Sequence, residues 1–194
     1  RPAAAAPAGV ALSLAEAAGL GAGQTIYLVD AHDHPNASAD LATFSAKFGL
    51  PACPSAPLST STPLPLGPAA PGCTFSVAYS DHAGRLLNSA PAYDAEWAAE
   101  IALDVEWAHA MAPLARLVLI EVPNDNSQQL LGGIALANRM GAGVVSMSFG
   151  APEGTWARAT DAAFAAPGMT YVAAAGDAGA QVLWPAVSPK VFAV

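Results

Sequence analysis

Charge is what this sequence has least of. Charged residues make up 11% of its 194 positions, 7 Lys and Arg against 15 Asp and Glu, for a net charge of −8. An ordinary soluble domain carries roughly a quarter. The few cations are scattered, so the basic patch that a nucleic-acid binder needs is absent. Uninterrupted apolar runs long enough for a transmembrane helix are also lacking. The opening Arg1-Pro2-Ala3-Ala4-Ala5-Ala6 has no long apolar stretch of the kind a signal peptide carries. Neither Gly-x-Gly-x-x-Gly nor a phosphate loop occurs, which leaves a nucleotide-using enzyme without support. Few ionised surface groups means little repulsion to relieve when carboxylates protonate, and that suits an acidic environment.

Cysteine is nearly as scarce, with two in the chain. Cys53 and Cys73 flank a Pro/Ser-rich loop with no core of its own in which to hide thiols. A disulfide between them would close a loop of roughly 20 residues and stabilise by about 3 kcal/mol on the chain-entropy model. Two free buried thiols are the other reading.

What is present is alternation. Residues 1–23 are rich in Ala, Gly and Pro and read as irregular, with a short helix at 11–19. Gln24–Asp30 reads as a buried strand, Ala37–Phe48 as a helix stopped by Gly49, and residues 51–73 as a proline-rich loop. Thr74–Tyr79 and Arg85–Leu87 suit a hairpin. Asp94 is placed to cap a helix running to Ala112, where Pro113 stops it. Strand Arg116–Val122, helix Ser127–Met140, strand Gly143–Phe149, helix Thr155–Ala165 and strand Met169–Ala175 follow. Val191–Val194 begins a further strand, so more sequence is expected to belong to this domain. The pattern predicts an α/β fold, a mostly parallel sheet with helices on both faces. The reactive groups of such sheets gather at the carboxyl ends of the strands. The expected division is an irregular segment 1–23 and a domain over 24–194 with a Pro/Ser-rich insertion at 51–92.

The chemistry concentrates on one helix. Glu100 and Asp104 are one turn apart and share a face. Trp97, Ile101, Leu103, Met111 and several alanines surround them. Two like charges on a half-buried face repel, which raises one carboxyl's pKa and favours a shared proton. Such a pair can act as a general base with an orienting acid. Spacing alone favours a solvated acidic face, and Glu96 and Glu106 are expected to be solvated residues of that kind. His109 reads as a packed or surface histidine. Asp30 reads as a strand-end turn former, and His32, Asp33 and His34, with histidines two apart in a turn, are weak evidence for a metal site.

Around that pair the sequence resembles the sedolisins, the serine-carboxyl peptidases. Glu100-x-x-x-Asp104, within Glu-Ile-Ala-Leu-Asp-Val-Glu-Trp-Ala-His-Ala-Met-Ala-Pro, resembles their catalytic helix. Val144–Gly150 resembles their strand ending in Ser-Trp-Gly. Tyr171–Gly179 resembles their Gly-Asp-Ser-Gly segment, and Leu183–Pro189 the Pro-Ala-x-Ser-Pro stretch that follows. The matches fall in order over residues 24–194.

The resemblance implies an incomplete subtilisin-like fold and a Ser-Glu-Asp triad cleaving polypeptides at acidic pH outside the cell. Glu100 would take the proton of the serine, Asp104 would orient it, and a protonated Asp177 would donate to the oxyanion. Ser148 and Gly150 would lie along the substrate backbone. The family's Gly-Thr-Ser nucleophile segment is not in these residues, so the chain alone is expected to be inactive. The family's calcium site is likewise expected in a C-terminal part, with no cofactor and no metal in this chain. The missing segment, or another copy of the chain, would be a partner; a membrane and nucleic acid would not. Two substitutions depart from the pattern: Ala178 replaces a serine, and Phe149 replaces a tryptophan and loses its N–H. Both leave open a non-catalytic binding module. A classical subtilisin is disfavoured by the lack of a His-Gly-Thr-His segment and by Asp177 where an asparagine would stand.

Overall fold

A computed structural model describes residues 12–194; residues 1–11 of the expected irregular segment lie outside the described residues. Seven strands form one sheet in the order β3-β2-β4-β1-β5-β6-β7. They are β1 (Thr25–Ala31), β2 (Thr74–Ser80), β3 (Leu86–Leu87), β4 (Arg116–Val122), β5 (Gly143–Met147), β6 (Met169–Ala173) and β7 (Phe192–Ala193). All neighbours run parallel except the β2–β3 hairpin at the edge. β2, inside the expected insertion at 51–92, joins the main sheet directly against β4.

Helices cover both faces, as the strand–helix alternation predicts. They are α1 (Leu14–Gly19), α2 (Ala37–Phe48), α3 (Ala95–Met111) and α4 (Ser127–Met140). Side chains alternate across each strand, and the two cores sort by that parity. Tyr27, Val29, Val118, Ile120 and Val145 pack against Leu130, Ile134 and Ala137 of α4. Leu28, Leu117, Leu119 and Phe75 pack against Leu41 of α2 and Ile101 and Val105 of α3. Gly133 lets α4 sit close, because a Cβ there would lie 2.7 Å from Val29 Cγ1.

Caps set the helix ends. The Asp94 side chain accepts from the backbone N–H groups of Glu96 and Trp97 and starts α3. Asn126 accepts from Gln129 and starts α4. Gly49, in the left-handed region, ends α2. The helix expected over Thr155–Ala165 is instead a 3-10 helix over Ala157–Phe164. Its side chains are committed elsewhere: the Thr160 hydroxyl donates to Ala157 O and accepts from Trp184 Nε1, and Asp161 accepts from Ser188. These tethers hold the short turn against Trp184–Ser188.

A disulfide joins Cys53 and Cys73 and fastens the proline-rich loop to the start of β2. His109, fully buried, stands beside it, with Nε2 2.9 Å from Pro51 O and Nδ1 3.5 Å from Cys73 Sγ. Cys53, Cys73 and His109 are the one group with metal-ligand spacing among the described residues, and its two sulfurs are bonded to each other. No described helix is long and apolar enough to cross a membrane.

Candidate active site

Parity carries the site. Asp30 follows Leu28 by two residues on β1, Glu121 follows Leu119 on β4, and Ser148 follows Ser146 beyond β5. Leu28 pairs with both Leu119 and Ser146 in the parallel register, and Asp30 with Glu121. All of these side chains therefore face α3, at the carboxyl ends of the strands. α3 supplies Glu100 and Asp104 to the same place, with Ile101 and Val105 as the buried anchors that set its rotation.

The Ser148 hydroxyl donates to Asp104 Oδ1 at 2.8 Å, while Asp104 Oδ2 is buried without a partner. Burial, the largest effect, outweighs the lowering by the Ser148 hydroxyl bond and, with the smaller repulsion of Glu100, pushes the Asp104 carboxyl up to about 6. Asp30 is fully buried and neither of its oxygens has a hydrogen-bond partner. Burial, then the nearby Asp104, Glu100 and Glu121 carboxylates, drive its pKa well above the ordinary range. Asp30 and Asp104 thus crowd one buried pocket with Glu100 at its open side, and an unpartnered buried carboxyl is stable only with its proton on. Asp30 is therefore buried among carboxyls rather than the strand-end turn former its sequence context favoured. A strand end next to a turn reads that way; its burial comes from strands β4 and β5 on either side, which lie far away in the sequence.

Beside this group is a second one. Glu121 is fully buried and takes the His34 backbone N–H on Oε1 at 2.9 Å. Burial and the neighbouring Asp33 raise its carboxyl to about 8, against the lowering effect of that N–H. His34 Nε2 lies 3.0 Å from Asp40 Oδ2. Glu106, expected to be solvated, is only part-exposed, and burial and Asp40 raise its pKa.

Two openings meet at the first group. A cavity of about 230 Å³ is lined by Glu96, Trp97, Glu100 and Ser148. Another of about 170 Å³ continues past Ser148, Phe149 and Gly150 to Trp97, Asp125 and Trp184. Gly150 is needed for that contour, since a Cβ would lie 2.6 Å from Leu183 Cδ1. Asp177 lies on the exposed loop after β6 and makes no described hydrogen bond to the carboxyl group. The structure thus brings Glu100, Asp104 and Ser148 together, sets Gly150 on the rim, adds Asp30, and holds Asp177 on a surface loop. On the far side of Asp104, a groove of about 510 Å³ runs between Leu103, Trp107 and Met111 of α3 and Ile26, Val144 and Val172 of the sheet. Those three α3 side chains are 50%, 51% and 58% exposed.

Over 113 residues the chain is 37% identical to kumamolisin from Bacillus sp. (strain MN-32), a match covering 48% of this chain and 20% of that protein. The structure of Pseudomonas sedolisin, a serine-carboxyl proteinase complexed with two molecules of pseudo-iodotyrostatin, superposes with a TM-score of 0.64 over 88% of this chain. The chain is a relative of the sedolisins. The structural match is 20% identical and shows the fold, an α/β sheet of the subtilisin-like kind. The sedolisin-like region spans about half of the solved chain, 47%, and a fifth of kumamolisin. No protein-family model matches.

Proposed function

We propose that this chain forms part of an acid-acting, secreted endopeptidase in which Glu100 is the general base. One observation carries the reading. The Glu100–Asp104 pair stands at the carboxyl end of a parallel sheet, with the fully buried Asp30 inside and an open cleft outside. A carboxylate base keeps working at acidic pH, where histidine is protonated and cannot accept. In this reading a serine hydroxyl loses its proton to Glu100 as its oxygen attacks the peptide carbonyl, and the proton then passes to the leaving amine. Asp104, anchored by the Ser148 hydroxyl, orients Glu100 and shares its proton. Asp177, protonated, donates to the oxyanion once the loop after β6 is placed over the cleft.

The serine belongs to sequence outside these 194 residues. The open groove beside Asp104 supports this: its apolar lining suits a further segment of the same polypeptide packed next to the acidic pair. Calcium, by family resemblance, would be held by residues outside this chain, and none described here is assigned to it. A non-catalytic binding module is the second reading. It draws on the exposed Asp177 loop and on Phe149, which has no indole N–H to offer.

The full-length protein is the one to assay. Peptide hydrolysis should peak at acidic pH, and Asp177→Ala should lower kcat by about a hundredfold or more, the usual cost of one oxyanion donor. Asp177→Asn, which still donates, should cost less. Equal losses in both variants would remove Asp177 from the oxyanion role, and no hydrolysis at any pH would favour the binding module.

A further inference from the structure

The cavity beyond Gly150 has a polarity of its own. Its walls are Trp97, Leu130, Phe149 and Trp184, and Asp125 stands in its lining. Leu130, Phe149 and Trp184 are buried, and the Trp184 indole N–H is already given to Thr160 Oγ1 at 2.8 Å. The walls therefore offer mainly apolar surface and aromatic faces, with the Ser127 and Ser148 hydroxyls beside them. At the nearby start of α4 the Asn126 side chain accepts from the Gln129 N–H and the Asn126 carbonyl from the Leu130 N–H, while the Asn126 N–H goes to Asn124.

Asp125, by contrast, is exposed and has no described hydrogen-bond or ion-pair partner among the contacts that bind its neighbours. The adjoining cavity adds Glu96 and Glu100, and no described Lys or Arg lines either opening. A long aliphatic stem ending in a cation is the side chain that matches both features: its methylenes cover the aromatic walls and its head reaches the carboxylate. We propose that this cavity is a specificity subsite for a lysine or arginine side chain of the peptide substrate, with Asp125 as the charge partner. The inference rests on the peptidase reading for its substrate, although the cavity and its charge do not depend on turnover.

The test uses the full-length protein and synthetic peptides identical except at one position, scanned residue by residue with lysine, norleucine or glutamate. Two readouts are taken at mildly acidic pH: kcat/KM, and affinity from quenching of tryptophan fluorescence. At one position lysine should exceed norleucine by roughly tenfold, about what a charge-assisted contact at a partly open site gives. Glutamate should fall below norleucine there. Asp125→Asn and, as a second variant, Asp125→Ser should bring the lysine-to-norleucine ratio close to one, and added salt should shrink it in the parent. Lysine-selective affinity that depends on Asp125, without turnover, would uphold the subsite and sink the peptidase reading. Turnover with no lysine preference at any position, or with a preference untouched in both variants, would overturn the subsite and leave the peptidase standing.

Discussion

Two buried acidic groups stand side by side on this sheet, and they are built differently. Glu121 ends β4 under the β1–α2 loop, takes a backbone N–H from His34, and opens into neither cavity of the cleft. The Glu100–Asp104–Asp30 group has one hydroxyl bond, three buried oxygens with no partner, and Glu100 lining a cleft. Both hold raised carboxyls, Glu121 at about 8 and Asp104 at about 6. A raised pKa by itself therefore does not mark chemistry. What separates the two is access: the first group fastens a loop, and the second offers an acceptor to a molecule in the cleft.

The largest expected difference between them is in activity. In the full-length protein Glu100→Gln should reduce kcat by at least about a hundredfold, the lower range for loss of a general base. Glu121→Gln should stay within about threefold, a change under 1 kcal/mol. Comparable losses from both would erase the distinction.

Asp30→Asn is the next step down. It removes the inner carboxyl that faces Asp104, and we expect kcat to fall by about tenfold, below the direct loss of a base.

Stability should respond to both groups with the same sign. Glu121 has a folded pKa raised from 4.5 to about 8. The fold thus prefers the protonated form, so its contribution is fully present below the unfolded pKa and is lost as pH rises towards about 8. The slope is at most about 1.4 kcal/mol per pH unit inside that window. Unfolding by urea across that range should show the slope in the parent and a flatter line in Glu121→Gln. A parent line already flat there would contradict the burial of Glu121.

Ser148→Ala should produce the smallest effect. Losing its hydroxyl bond costs about 1 kcal/mol and, since that bond lowers the Asp104 pKa, moves the carboxyl further up.

Part of this comparison is visible in the chain itself. The Glu100–Asp104 spacing on a capped helix, the parallel sheet and the pairing of Cys53 with Cys73 all follow from local patterns, because helix periodicity and loop composition act over a few residues. Asp30 and Glu121 do not announce themselves. Each ends an apolar strand, Tyr27-Leu28-Val29-Asp30 and Val118-Leu119-Ile120-Glu121, and there a polar residue looks like the exit into solvent. Their burial depends on which strands become neighbours and on α3 crossing above them, and crossover topology is not written in any short segment. The 3-10 helix was hidden for a similar reason, since its shape answers to Trp184 and Ser188, some twenty-five residues onward.

The central claim is that the Asp104 carboxyl, buried beside the Glu100 charge, titrates near 6. Carboxyl-carbon NMR of the folded protein, with Asp104 assigned by substitution, measures it directly. The Asp104 step should fall near 6 and move lower in Glu100→Gln, once the neighbouring charge is gone. An Asp104 step in the ordinary aspartate range near 4, unchanged by Glu100→Gln, would contradict the account.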